Sequence, residues 1–108
     1  LMETIAEWLD SLRDSNKLIL VEGKKDKQKL EMLGINNIIT ISNKPLYKTI
    51  EKISEIDKEI VILTDLDHEG RKLYSRIKHQ CQRNGIKVDK KYREFLFSNT
   101  KITQIEGI

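Results

Sequence analysis

Three short apolar runs constrain this chain most: Leu18-Ile19-Leu20-Val21, Ile38-Ile39-Thr40-Ile41 and Ile60-Val61-Ile62-Leu63-Thr64. Each is too short for a stable helix, and none alternates in and out as a strand with one wet face does. Runs of this kind suit strands buried on both faces. Stretches of helical periodicity separate them, so strand and helix take turns along the chain. Strands covered on both sides by helices form a parallel sheet with right-handed crossovers. A weaker run, Ile86-Lys87-Val88, reads as a fourth strand. The expected architecture is α/β, a three-layer sandwich of about four mainly parallel strands with helices on both faces.

The helical stretches have identifiable limits. Met2, Ile5, Leu9 and Leu12 share one face of an N-terminal helix, on which Trp8 packs against the body. Lys25–Leu33 reads as a helix closed by Gly34. Ser42 or Asn43 is expected to cap the next helix, with Pro45 in its first turn and Leu46, Tyr47, Ile50 and Ile53 buried. Residues 65–70 read as a loop. The helix after it carries Leu73, Tyr74, Ile77 and Cys81 inward and stops at Asn84-Gly85. Tyr92, Phe95 and Leu96 have helical spacing, and Ile102, Ile105 and Ile108 suggest a last turn. The expected division is a single domain over 1–108: a helix at 1–15, a core at 16–90 and a helical extension at 91–108.

Composition excludes several classes. No apolar stretch approaches the roughly 18 residues of a membrane span. One cysteine, Cys81, supports neither an internal disulfide nor a cysteine metal cluster. No secretory leader is visible, and the expected location is cytoplasmic. The net charge is +3, a mild basic bias that permits a nucleic-acid partner without requiring one.

Working residues of such sheets collect beyond the carboxyl ends of the strands. Two strands here end in acids: Val21-Glu22-Gly23-Lys24, and Thr64-Asp65-Leu66-Asp67-His68-Glu69-Gly70-Arg71. Asp65 and Asp67 are two apart and can face one crevice, with Glu22 beside them if the two strands are neighbours. Two carboxylates about 5 Å apart repel by roughly 3 kcal/mol at an effective dielectric near 20. A proton or a cation must compensate. An all-oxygen set favours Mg²⁺, with Mn²⁺ or Ca²⁺ as substitutes, over zinc. Lys24, Lys25, Arg71 and Lys72 follow the acids and can neutralise phosphate oxygens. Gly23 and Gly70 remove side chains where a ligand or another loop approaches.

These two segments resemble the motifs of the Toprim domain. Val21-Glu22-Gly23-Lys24-x-Asp26 is similar to its glutamate motif, and Asp65-x-Asp67-x-Glu69-Gly70 to its paired-aspartate motif, in wording like that of type IA topoisomerases. The resemblance covers residues 16–90. It implies a Toprim-like, Rossmann-like fold, Mg²⁺ and phosphodiester chemistry on RNA or DNA, alone or within a larger processing complex. It assigns Glu22 the role of general acid or base, and metal binding to Asp65 and Asp67, with Glu69 as the third acid. The chain has no room for topoisomerase gate domains or a primase zinc region, and looks like a small stand-alone Toprim protein. A phosphoreceiver domain is the weaker match, because only one acid ends the first strand.

Plainer roles suit other residues. Asp26 reads as a helix-start cap in preference to a ligand. His68 reads as an exposed loop residue, Cys81 as core, and Tyr47 and Tyr74 as residues at the core edge.

Overall fold

The structure is a computed structural model that describes residues 2–108; Leu1 lies outside the described residues. Helix α1 (Ile5–Asp14) begins where the Thr4 hydroxyl accepts the Glu7 amide at 3.1 Å, three residues later than the sequence pattern begins. Strand β1 (Leu18–Val21) follows, then α2 (Lys24–Met32), β2 (Ile38–Thr40), α3 (Leu46–Ser54) and β3 (Ile60–Ile62). The chain continues into α4 (His68–Arg83), α5 (Lys91–Asn99) and a 3-10 turn at Ile105–Gly107. No helix among the described residues is long and apolar enough to cross a membrane.

All three strands are parallel, in the order β2-β1-β3, with Ile19 opposite both Ile38 and Val61. Successive side chains of a strand point to opposite faces, so each apolar run feeds two cores. Ile19, Val21, Val61 and Leu63 join α1, α2, α5 and the 3-10 turn through Trp8, Leu12, Leu30, Phe95 and Ile105. Leu18, Leu20, Ile60 and Ile62 join α3 and α4 through Ile50, Ile53, Ile77 and Cys81. This arrangement is the physical reason the runs do not alternate: β1 and β3 are buried on both faces, and β2, at the edge, is half-buried at Ile38 and Thr40.

The expected fourth strand does not form. Val88 makes a single parallel bridge to Ile60, closed by Ile60 N–H to Lys87 O at 3.0 Å and Asp89 N–H to Ile60 O at 2.8 Å. The pairing is cut short on both sides. Gly85 turns the chain at φ +68° just before it, and Asp89 just after it pairs with Lys17 before α5 opens.

Three local expectations change. Pro45 itself occupies the start of α3, with no side chain of Ser42 or Asn43 capping it. Tyr47 is 60% exposed, because the inward face of α3 is set by Thr49, Ile50 and Ile53. His68 is exposed, as expected, but belongs to α4, since the loop after β3 closes into helix earlier than its composition suggests. Gly34 ends α2 at φ +81°, where a side chain would be strained. Trp8 is fully buried and its indole N–H donates to Tyr92 O at 2.8 Å, which ties α1 to α5.

Candidate metal and phosphate site at the carboxyl edge of the sheet

From β2 the chain crosses over β1 to reach β3, so the direction of sheet building reverses between β1 and β3. A crevice opens at such a reversal, beyond the carboxyl ends of the two strands. Glu22 follows β1 there and Asp65 follows β3. The Asp65 amide donates to Glu22 Oε2 at 2.8 Å. β1 and β3 are neighbours, the condition on which Glu22 would stand beside Asp65, and the two residues meet.

The loop after β3 is held at nearly every residue. Thr64 is fully buried and its hydroxyl donates to Gly70 O at 2.7 Å. Asp65 Oδ1 accepts the Ile105 amide at 2.9 Å, and Asp65 O accepts from Arg93 Nη2 at 2.9 Å. The Leu66 amide donates to Thr103 O at 2.9 Å, and Leu66 O accepts from Arg71 Nε at 2.7 Å. Asp67 caps α4, with its Oδ1 accepting the Gly70 amide at 2.7 Å. Gly70 is a steric requirement: a Cβ there would stand 2.1 Å from Asp65 O. Gly23 is not, since a Cβ there meets nothing within 4 Å.

Each of Glu22, Asp65 and Asp67 thus spends one carboxylate oxygen on a backbone amide. Burial pushes the Glu22 carboxyl up; the Asp65 amide opposes this, the Asp65 and Asp67 charges add to it, and Arg93 opposes it. The net shift is upward, because burial and the two neighbouring carboxylates outweigh the Asp65 amide and Arg93. Asp26 is buried and accepts the Gly23 amide at 3.2 Å, which is the capping role. Burial first, then the Asp65 charge, push it up to about 6.

The four acids do not close into a cage. Among the described residues no three His, Cys, Asp or Glu side chains converge at metal-binding spacing. Asp67 is turned to the helix it caps and lines a cavity of about 260 Å³ with Leu66, Arg71, Thr103 and Gln104. Glu69, exposed on the first turn of α4, instead shares a cavity of about 170 Å³ with Glu22, Lys72, Leu73 and Arg76. The donor set still fits a hard divalent ion. Mg²⁺ is commonly held by one or two carboxylates, with water and phosphate oxygens completing six ligands. Glu22 Oε1 and Asp65 Oδ2, the oxygens of this adjacent pair not taken by an amide, are two such carboxylate donors.

The expected phosphate contacts divide. Arg71 and Lys72 line the two cavities flanking the acids. Lys24 and Lys25 are exposed on the first turn of α2, and Lys25 faces a different cavity with Gln28, Lys29, Met32 and Glu106. Three cations were not legible as site residues. Lys44 and Arg76 line a cavity of about 250 Å³ that also contains Glu22, Ser42 and Leu73. Arg93 sits over the rings of Tyr74 and Phe97, at 4.4 and 5.0 Å. Lys44 lies just past β2, so the strand-end rule applied to that strand would have found it. Arg76 is four residues after Lys72 on α4, and helical spacing would have found it. Nothing local marks Arg93. A second 250 Å³ cavity, at the opposite edge among Ile53, Asp57, Lys58, Glu59, Asn84 and Lys87, gathers none of the strand-end acids.

A reversal crevice in a parallel sheet, with a glutamate after the central strand and a D-x-D loop after its neighbour, marks one class of α/β domain, and residues 16–91 match the family model described as Toprim domain. The chain belongs to the Toprim family and, within it, to the UPF0292 proteins. It is 36% identical to the UPF0292 protein of Methanocaldococcus jannaschii, over 100% of this chain and 86% of that one. Against the UPF0292 protein of Pyrococcus horikoshii it is 38% identical, over 93% of this chain and 75% of that one. A solved structure of a protein from Aquifex aeolicus superposes with a TM-score of 0.93 at 30% identity, covering 99% of this chain and 100% of that one.

Proposed function

We propose that the carboxyl edge of this Toprim domain binds Mg²⁺ and a nucleic-acid backbone, and that it cleaves or transfers phosphodiesters of RNA or DNA. The observation that carries the reading is the bond from the Asp65 amide to Glu22, which sets an acid of raised affinity for protons against the D-x-D loop. Asp65 and Asp67 would hold the ion, with Glu69 as a further acid at the edge and Mn²⁺ or Ca²⁺ as substitutes. When bound, such an ion stabilises charge on phosphate oxygens and lowers the pKa of a bound water.

The chain's own residues do the rest. Glu22 keeps Oε2 on the Asp65 amide, so the carboxyl is oriented, and Oε1 is the atom that takes or returns a proton. Its pKa is raised, chiefly by burial, which is the direction a carboxyl that carries a proton requires. Lys72 and Arg76 on one side, and Arg71 on the other, supply phosphate contacts, which makes binding salt-sensitive. The deciding experiment is a nuclease screen over RNA and DNA substrates with and without Mg²⁺, run beside Glu22→Gln and Asp65→Asn. Ion-dependent cleavage lost in both variants is the expected result. Cleavage that survives both overturns the reading.

The open arrangement of the acids favours a second reading, in which the domain binds ion and nucleic acid without turnover inside a larger processing assembly. Binding with no cleavage across the panel distinguishes it.

A further inference from the structure

The residues after α4 do more than finish the fold. Two of them hold Asp65 from opposite ends, and both lie beyond residues 16–91 that match the family model. Arg93 Nη2 bonds the main-chain oxygen of Asp65 at 2.9 Å, and its guanidinium is steadied against the Tyr74 and Phe97 rings. The Ile105 amide bonds Asp65 Oδ1 at 2.9 Å. Next to it, Thr103 O takes the Leu66 amide at 2.9 Å. This strap is anchored: the Ile105 side chain is fully buried in the core that contains Trp8, Leu30 and Phe95. A backbone amide carried on a buried side chain cannot swing away without opening that core.

We infer that segment 100–107, with Arg93, is a positioning strap that orients the Asp65 carboxylate for a divalent ion by occupying Oδ1 and presenting Oδ2. Ile105 is a positioning residue acting through its main-chain N–H. The inference rests on the proposed metal site. Partners that orient a metal-binding carboxylate typically change metal affinity by about 10–100-fold when removed.

The test separates the amide from the side chain. Gln104 is extended at φ −132° and ψ 143°, as the residue before a proline must be, and Ile105 opens the 3-10 turn. Ile105→Pro therefore removes the donor at a position that tolerates proline, while Ile105→Ala trims the same side chain and keeps the N–H. Mn²⁺ affinity is measured for wild type and both variants by titration calorimetry. The expected result is binding at least about tenfold weaker in Ile105→Pro than in Ile105→Ala. Equal affinities overturn the inference and leave the metal site standing. Absence of Mn²⁺ uptake by wild type overturns the metal site, and the strap with it. Should Ile105→Pro fail to fold, amide NMR of the wild type decides. On adding Mg²⁺ the Ile105 amide resonance is expected to shift together with that of Asp65 and to stay slow to exchange. A shift at Asp65 with Ile105 unmoved, or faster exchange at Ile105, overturns the strap.

Discussion

Asp65 donates its amide to the Glu22 carboxylate at 2.8 Å, across the boundary between β1 and β3. The acid thereby gains a hydrogen bond and a like-charged neighbour from the same residue. Burial first, and then the charges of Asp65 and Asp67, raise the Glu22 pKa, so its ionised form is disfavoured in the folded state. Glu22→Gln keeps an acceptor for the amide and removes the charge. It is expected to leave stability unchanged or raise it by less than about 1 kcal/mol without added ion, since Glu22 is half-exposed and partly screened. Mg²⁺ should then raise the melting temperature of wild type more than that of the variant. Thermal unfolding with and without Mg²⁺ checks both statements.

Gly70 carries a backbone requirement. A methyl group there would stand 2.1 Å from Asp65 O and 2.7 Å from Asp65 C. Gly70→Ala must move the loop or the start of α4, at an expected cost of about 3 kcal/mol, the upper part of the range for overpacking. Gly23→Ser, at a position with open space and an extended φ of −145°, is the matched control and should change stability by under about 0.5 kcal/mol. Urea unfolding of the two variants makes the comparison.

Asp26 links stability to pH. Its folded pKa is pushed up to about 6 from 3.8, chiefly by burial and then by the Asp65 charge. The folded state therefore binds more protons than the unfolded state between those values. Stability from this group is full below the unfolded pKa and is lost as pH rises through the folded one. The slope is at most about 1.4 kcal/mol per pH unit. Asp26→Asn keeps an acceptor for the Gly23 amide, and should flatten the ion-free stability profile between about pH 4 and about 6, measured by urea midpoints.

The pair at the other end of the sheet titrates with the opposite sign. Burial pushes the Asp89 carboxyl up, but the hydrogen bonds of Lys17 and the Lys91 amide, with the charges of both lysines, outweigh it and bring it below the usual value. Lys17 also contacts Glu59 at 3.4 Å. Stability from Asp89 is therefore present above the unfolded pKa and lost as pH falls through the folded one. Asp89→Asn is expected to cost about 1–3 kcal/mol at neutral pH, as a partly buried charge-assisted pair does, and to blunt acid unfolding. Circular dichroism during acid titration reads the second effect.

The segments around Glu22 and Asp65 show how far local pattern reaches. The apolar runs 18–21, 38–41 and 60–64 locate the strands, because a sheet covered on both faces favours apolar residues at nearly every position. The acids sit at strand ends, and chain direction in a parallel sheet sends those ends to one edge. Gly70 was legible as a place of close approach, though its partner, the Asp65 carbonyl, was not. The run at 86–88 had the same apolar character but too few residues before Asp89 was drawn to Lys17, so periodicity overstated it.

Sequence alone thus determined the α/β class and the sheet edge to which Glu22 and Asp65 are carried, because burial and chain direction are encoded residue by residue. Only the tertiary structure decided which strands are neighbours, and hence that Glu22 meets Asp65. It also decided that Asp67 turns to cap α4, that Lys44 and Arg76 flank the crevice, and that Ile105 and Arg93 hold Asp65. These relationships join residues far apart in the chain. They follow from how two cores pack against one sheet, and no local pattern records that packing.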